Sequence, residues 1–115
     1  MAQMPMQATP SLDALIARIV SAVHPLRIIV FGSAARGDMT ADSDIDLLVV
    51  MPEGTHRLRM ARYIYQQLYG FGHPVDIVVT TPSTLNKQKD NIGLIYREIL
   101  AEGKEVYASR QDAAG

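Results

Sequence analysis

The sequence predicts a small α/β (α+β) domain, a mixed β-sheet with helices packed on it. Two observations carry this reading. Three short apolar runs rich in Ile, Val and Leu, at 26–31, 44–50 and 73–80, have the length of buried strands. Around them lie longer segments whose apolar residues recur every three or four positions, as on one face of a helix. One of these, 55–69, separates the second run from the third and is long enough for the crossover that a parallel pairing requires.

In chain order, Met1 to Pro10 is rich in Met, Gln and Pro and predicts a flexible leader. Ser11 is a good N-cap, and Leu12, Leu15, Ile16, Ile19, Val20 and Val23 form the apolar stripe of a helix that ends near His24-Pro25. Leu26 to Phe31 is the first strand. Gly32 to Thr40 is a turn with room for one helical turn, and Asp44 to Val50 is the second strand. In 55–69, Leu58, Ala61, Ile64, Tyr65 and Leu68 make the core-facing side, with Tyr65 expected inside. Arg57, Arg59 and Arg62 face elsewhere and read as a solvated face or as a contact for an acidic group. His73 to Thr80 is the third strand, Thr81 to Asp90 is polar and loop-like with Ser83 available to cap a short helix, and Asn91 to Glu102 is a last helix stopped by Gly103. Glu105 to Tyr107 adds a short edge strand. The expected organisation is a leader (1–10), one domain (11–108) and a tail (109–115).

Composition narrows the function. A net charge of −1 exerts no general pull on nucleic acid or an anionic membrane, so no direct nucleic-acid binding is expected. The absence of cysteine removes thiolate zinc sites, disulfides and cysteine nucleophiles, and fits a cytoplasmic protein. No stretch reaches the length of a membrane span, and the first residues lack the features of a secretory signal.

The chemistry is concentrated in 31–50 and at Asp76. Asp44 and Asp46 are two apart on a strand and project to the same side. Two ionised carboxylates held this close repel, and a divalent cation relieves the repulsion. Aspartate oxygens combined with substrate phosphates and water suit Mg²⁺. Two such ions about 4 Å apart can clamp the attacking and leaving oxygens of an in-line displacement. Asp76 interrupts the apolar run of Val75, Ile77 and Val78, and a lone charge buried there would cost several kcal/mol. Its strand is therefore expected to lie beside Asp44 and Asp46, with Asp76 as a third metal ligand and an acceptor for the proton of an attacking hydroxyl. Gly32 lets the backbone approach a phosphate without a Cβ, Ser33 offers a hydroxyl, and Arg36 offers positive charge. Singly, each feature has an ordinary reading: a turn, a solvated strand end, an exposed edge residue, a surface ion pair. Jointly they point to phosphate chemistry. Neither a P-loop nor a Gly-x-Gly-x-x-Gly fingerprint occurs.

Phe31-Gly32-Ser33, a ten-residue spacer and Asp44-Ile45-Asp46-Leu47, with Val75-Asp76-Ile77 downstream, resemble the signature of the nucleotidyltransferase superfamily related to DNA polymerase β. Gly32-Ser33-Ala34-Ala35-Arg36-Gly37 with Ser43-Asp44-Ile45-Asp46 looks most like the minimal nucleotidyltransferases, the MNT proteins, over residues 12–107. The resemblance implies Mg²⁺, as two ions, held by Asp44, Asp46 and Asp76. It implies ATP as substrate, with its phosphates held by Gly32, Ser33 and Arg36, and pyrophosphate as the leaving group. Many MNT proteins are antitoxins that transfer AMP to a tyrosine of a HEPN-domain RNase toxin, so a HEPN-domain toxin is the expected partner and acceptor. The alternatives are an antitoxin that neutralises by contact alone, and an enzyme for a small-molecule hydroxyl such as an aminoglycoside.

Overall fold

The structure is a computed structural model that describes residues 12–37, 43–88, 99 and 101–109. The leader, the Ser11 cap, most of the helix expected at 91–102 and the tail from 110 onward lie outside the described residues. Among the described residues the elements run in order α1 (Leu12–Val23), β1 (Arg27–Phe31), α2 (Ser33–Arg36), β2 (Ile45–Val50), α3 (Arg57–Gln67), β3 (Val75–Thr80), α4 (Pro82–Gln88) and β4 (Lys104–Ala108). The strands form one mixed sheet in the order β3-β2-β1-β4. β1 runs antiparallel to both β2 and β4, and β2 runs parallel to β3. α3 is the crossover between the parallel pair.

Both faces of the sheet are covered, which explains why the strands read as continuous apolar runs. On one face, Ile28, Val30, Ile45, Leu47, Val49, Ile77 and Val79 pack against Leu15 and Ile19 of α1 and Ile64 of α3. On the other, Ile29, Phe31, Leu48 and Val50 pack against Leu85 of α4 and Ile99. α1 ends where His24 takes φ 49° and donates its amide to the Val20 carbonyl at 3.0 Å, and Pro25 then forbids continuation. At the far end of the chain, the Gly103 amide closes a helical turn onto the Ile99 carbonyl. A Cβ at Gly103 would strike that carbonyl oxygen, so glycine here is a packing requirement.

Three local expectations need correction. The segment after Thr81, read as loop-like with room for a short helix capped by Ser83, is a helix, α4, with Ser83 inside its first turn. Its signal lies outside the segment: Glu53, thirty residues earlier, accepts the Ser83 amide at 2.7 Å and the Ser83 hydroxyl at 2.9 Å, satisfying donors that the helix start cannot. Pro82 is pre-shaped for the first helical turn. Leu58 is 77% exposed instead of core-facing. α3 begins only at Arg57, capped by His56, whose Nδ1 accepts the Arg59 amide at 3.2 Å, so Leu58 sits in the first turn, beyond the edge of the core. Tyr65 is 43% exposed instead of buried, for a reason that emerges at the site.

Candidate active site

The parallel pairing sets Asp46 of β2 directly beside Asp76 of β3, and the antiparallel pairing sets Phe31 of β1 on the other side of Asp46. Residues level with one another on adjacent strands project to the same face. Asp46 and Asp76 therefore share the face of Phe31, Leu48 and Val78, with backbones about 5 Å apart, the ordinary strand spacing. Asp44 stands two residues before Asp46, just outside β2, on the same parity. Asp46 is half-buried, while Asp44 and Asp76 are exposed. Asp76 thus does not carry the burial cost expected from its apolar neighbours; β3 is an edge strand and the carboxylate lies at its open start.

Gly32 follows Phe31 and has φ 70°. A Cβ built there would collide with the Asp46 carboxylate. The glycine is thus needed for two reasons, a left-handed backbone and a close approach to Asp46. Its carbonyl accepts the Ala35 and Arg36 amides, both at 3.1 Å, which turns the chain into α2. Ser33, half-buried, opens that turn beside the carboxylates. Arg36 is placed differently: its guanidinium meets Glu102 at 3.4 Å, with both side chains about half exposed.

Two residues that sequence reasoning did not assign to this site border the aspartates. His73 donates from Nε2 to the Ser43 carbonyl at 2.9 Å, and the Ile45 amide donates to the Pro74 carbonyl at 3.0 Å. These two bonds fasten the chain on both sides of Asp44. Tyr65 of α3 reaches over the edge of β3: its hydroxyl accepts the Ile77 amide at 2.8 Å and donates to Oδ1 of Asp76 at 3.3 Å. Partial burial pushes the phenol above its ordinary value, donation from Ile77 opposes that, and the charges of Asp76 and Asp44 raise it further. Tyr65 is therefore a neutral donor at physiological pH. Its helical spacing concealed this, because a tyrosine on a core-facing stripe reads as packing.

A family model described as the nucleotidyltransferase domain matches residues 13–106. The chain belongs to the nucleotidyltransferase domain family. No curated protein matches it. Among solved structures, this nucleotidyltransferase domain is similar to a chain in a crystal structure of a toxin–antitoxin with AMP-PNP, with TM-score 0.62, 19% identity, and coverage of 90% of this chain and 79% of the other. A mutant of the toxin–antitoxin MntA-HpeT superposes with TM-score 0.60 at 19% identity, covering 90% of this chain and 78% of the other. A third similar structure is a tri-AMPylated Shewanella oneidensis HEPN toxin in complex with MNT antitoxin, with TM-score 0.54, 15% identity, and coverage of 89% and 76%. At such identities the likeness establishes the fold.

The donor set of the nucleotidyltransferase domain fits a hard cation. Asp44, Asp46 and Asp76 offer carboxylate oxygens, the hard donors that such a cation takes. Among the described residues no group of three or more acidic, His or Cys side chains forms a complete metal cage. Mg²⁺ seldom uses one; it takes one or two carboxylates and completes its shell with phosphate oxygens and water. An open sheet end with Asp46 and Asp76 side by side meets that requirement. A cavity of about 660 Å³ lies elsewhere, between the start of α3 and the outer edge of β3, lined in part by Leu58, Ala61 and Ile77. None of the three aspartates lines it. No helix among the described residues is long and apolar enough to cross a membrane.

Proposed function

We propose that this chain transfers AMP from ATP to a hydroxyl of a partner protein, a tyrosine of a HEPN-domain toxin, and so acts as a cytoplasmic antitoxin. The observation that carries the reading is the row Phe31–Asp46–Asp76 across three strands, with Gly32 packed against Asp46, in a chain of the nucleotidyltransferase domain family. The acceptor is argued from similar structures: one holds AMP-PNP and another contains a tri-AMPylated HEPN toxin with its MNT antitoxin.

Asp44, Asp46 and Asp76 would hold Mg²⁺, which when bound with ATP neutralises phosphate charge and aligns the attacking and leaving oxygens. The chain's own groups supply the rest. Gly32 admits the triphosphate close to the backbone, and the Ser33 hydroxyl donates to a β- or γ-phosphate oxygen. The amides that open α2 ahead of Ala35, whose own amide bonds the Gly32 carbonyl, can turn to the same anion. Arg36 can exchange its exposed pair with Glu102 for a phosphate, because such surface pairs contribute at most about 1 kcal/mol. Asp76 accepts the proton of the incoming hydroxyl. The hydroxyl oxygen forms a bond to the α-phosphorus, the bond from that phosphorus to the bridging oxygen breaks, and pyrophosphate leaves.

The test follows the label. With ATP radiolabelled at the α-phosphate, Mg²⁺ and a HEPN-domain acceptor, label is expected on the acceptor together with released pyrophosphate. Chelation or the double variant Asp44→Asn/Asp46→Asn should abolish both. Toxin neutralised equally well by the double variant would replace this reading with inhibition by contact alone.

A further inference from the structure

Tyr65 belongs to a helix that covers the sheet, yet its side chain reaches over the outer edge of β3, and its phenol oxygen joins two groups there. The Ile77 amide faces away from β2, and because β3 is an edge strand no further strand lies there to accept it; it donates to the phenol oxygen at 2.8 Å. The phenol proton is in turn donated to Oδ1 of Asp76 at 3.3 Å. The short bond fixes the phenol to the backbone of the residue that follows Asp76, so the donor is registered against the very strand that carries the carboxylate. Asp76 itself is exposed. An exposed aspartate with no partner samples several rotamers, and ordering it costs conformational entropy.

We propose that Tyr65 is the positioning residue for Asp76: by engaging Oδ1 from a backbone-anchored hydroxyl, it holds the carboxylate in one orientation and leaves Oδ2 as the oxygen that meets the acceptor hydroxyl. The inference rests on the reading of Asp76 as the group that receives the acceptor's proton. Partners of this kind that orient a reacting or ligating side chain commonly change activity or metal affinity about 10- to 100-fold when removed. Phenylalanine keeps the ring and its packing and removes only the hydroxyl.

The experiment is steady-state AMP transfer to a HEPN-domain acceptor by wild type and Tyr65→Phe. The expected result is a kcat lower by about 10- to 100-fold with the KM for ATP unchanged, since Gly32, Ser33, Asp44 and Asp46 are untouched. Wild-type kcat in Tyr65→Phe overturns the proposal. So does a loss accompanied by an equal rise in the KM for ATP, which marks general disruption of the site. A gain of about 329 Da on the wild-type chain itself, absent in Tyr65→Phe, also overturns it, because Tyr65 would then be an acceptor for AMP. If wild type transfers no AMP to any acceptor, the proposed function fails independently. The orientation claim is then decided by the ¹³C resonance of the Asp76 carboxylate in the free protein: a shift on Tyr65→Phe supports it, and an unmoved resonance overturns it.

Discussion

The parallel strands β2 and β3 lie side by side, and their two ends are built for different purposes. At the C-terminal end, Leu48, Val49 and Val50 are fully buried, Thr80 is 0% exposed, and the Met51 amide continues the pairing onto the Thr80 carbonyl at 2.8 Å. At the N-terminal end the same two strands open with Asp44, Asp46 and Asp76, of which two are exposed. One end contributes burial, at about 1.5–3 kcal/mol for each large apolar side chain. The other gathers like charges that folding alone would not favour, because adjacent carboxylates repel. The difference separates residues that fold stability explains from residues that it does not. In open α/β sheets ligands usually bind at the carboxyl ends of parallel strands. Here the carboxylates lie at the opposite end, beside the turn that leaves antiparallel β1 at Gly32.

If the two ends are separable, substitutions at each should move different observables. The largest effect is expected at Asp46. Asp46→Asn removes charge stabilisation of several kcal/mol in the transition state, which is about 10³-fold or more in kcat, while the melting temperature stays near that of wild type. Transferase assay and thermal denaturation on one preparation check this, and a large fall in Tm with activity retained would erase the distinction between the ends. Next is Leu48→Ala at the buried end. It should cost about 2–5 kcal/mol in denaturant titration and leave the activity of the folded fraction intact.

Gly32→Ala sharpens the comparison, because Gly32 couples backbone to site. With φ 70° and ψ −149° its backbone disfavours alanine by about 1–3 kcal/mol, and the new Cβ would push the Asp46 carboxylate aside. Stability and activity should therefore fall together, and an active Gly32→Ala of wild-type stability would contradict the packing described. The smallest effect concerns Glu53, held below the ordinary carboxylate value of 4.5, chiefly by the Ser83 amide and then by the Ser83 hydroxyl. Its folded value is depressed, so its contribution is complete above the unfolded value and is lost as pH falls through the folded one. Amide exchange at Leu85 in α4 should quicken relative to the intrinsic rate as pH drops from about 6 to about 3. Glu53→Gln should flatten that dependence.

Much of this arrangement was legible in the sequence because it is written in local periodicity. The alternation of Asp44 and Asp46 with Ile45 and Leu47 fixes which side chains share a face. The length of α3 implies a crossover, and a crossover brings β3 beside β2, which is how Asp76 comes level with Asp46. What escaped depends on distant partners. α4 takes its cap from Glu53, and Leu85 is its buried anchor, so its own sequence carries little helical signal. Tyr65 satisfies the spacing of a core residue, but its phenol is polar at the tip and reaches past the core to an edge-strand amide and a carboxylate. Arg36 has the surface ion pair that is its ordinary reading, and the partner, Glu102, lies 66 residues away, where local periodicity could not name it.

The central claim is that the aspartates at the open end perform nucleotidyl transfer to a protein. Intact-mass spectrometry of a co-expressed HEPN-domain partner, with wild type and with Asp44→Asn/Asp46→Asn, addresses it most directly. The account predicts a gain of about 329 Da for each AMP group, seen with wild type only. A partner that is bound and silenced by wild type at unchanged mass would contradict it.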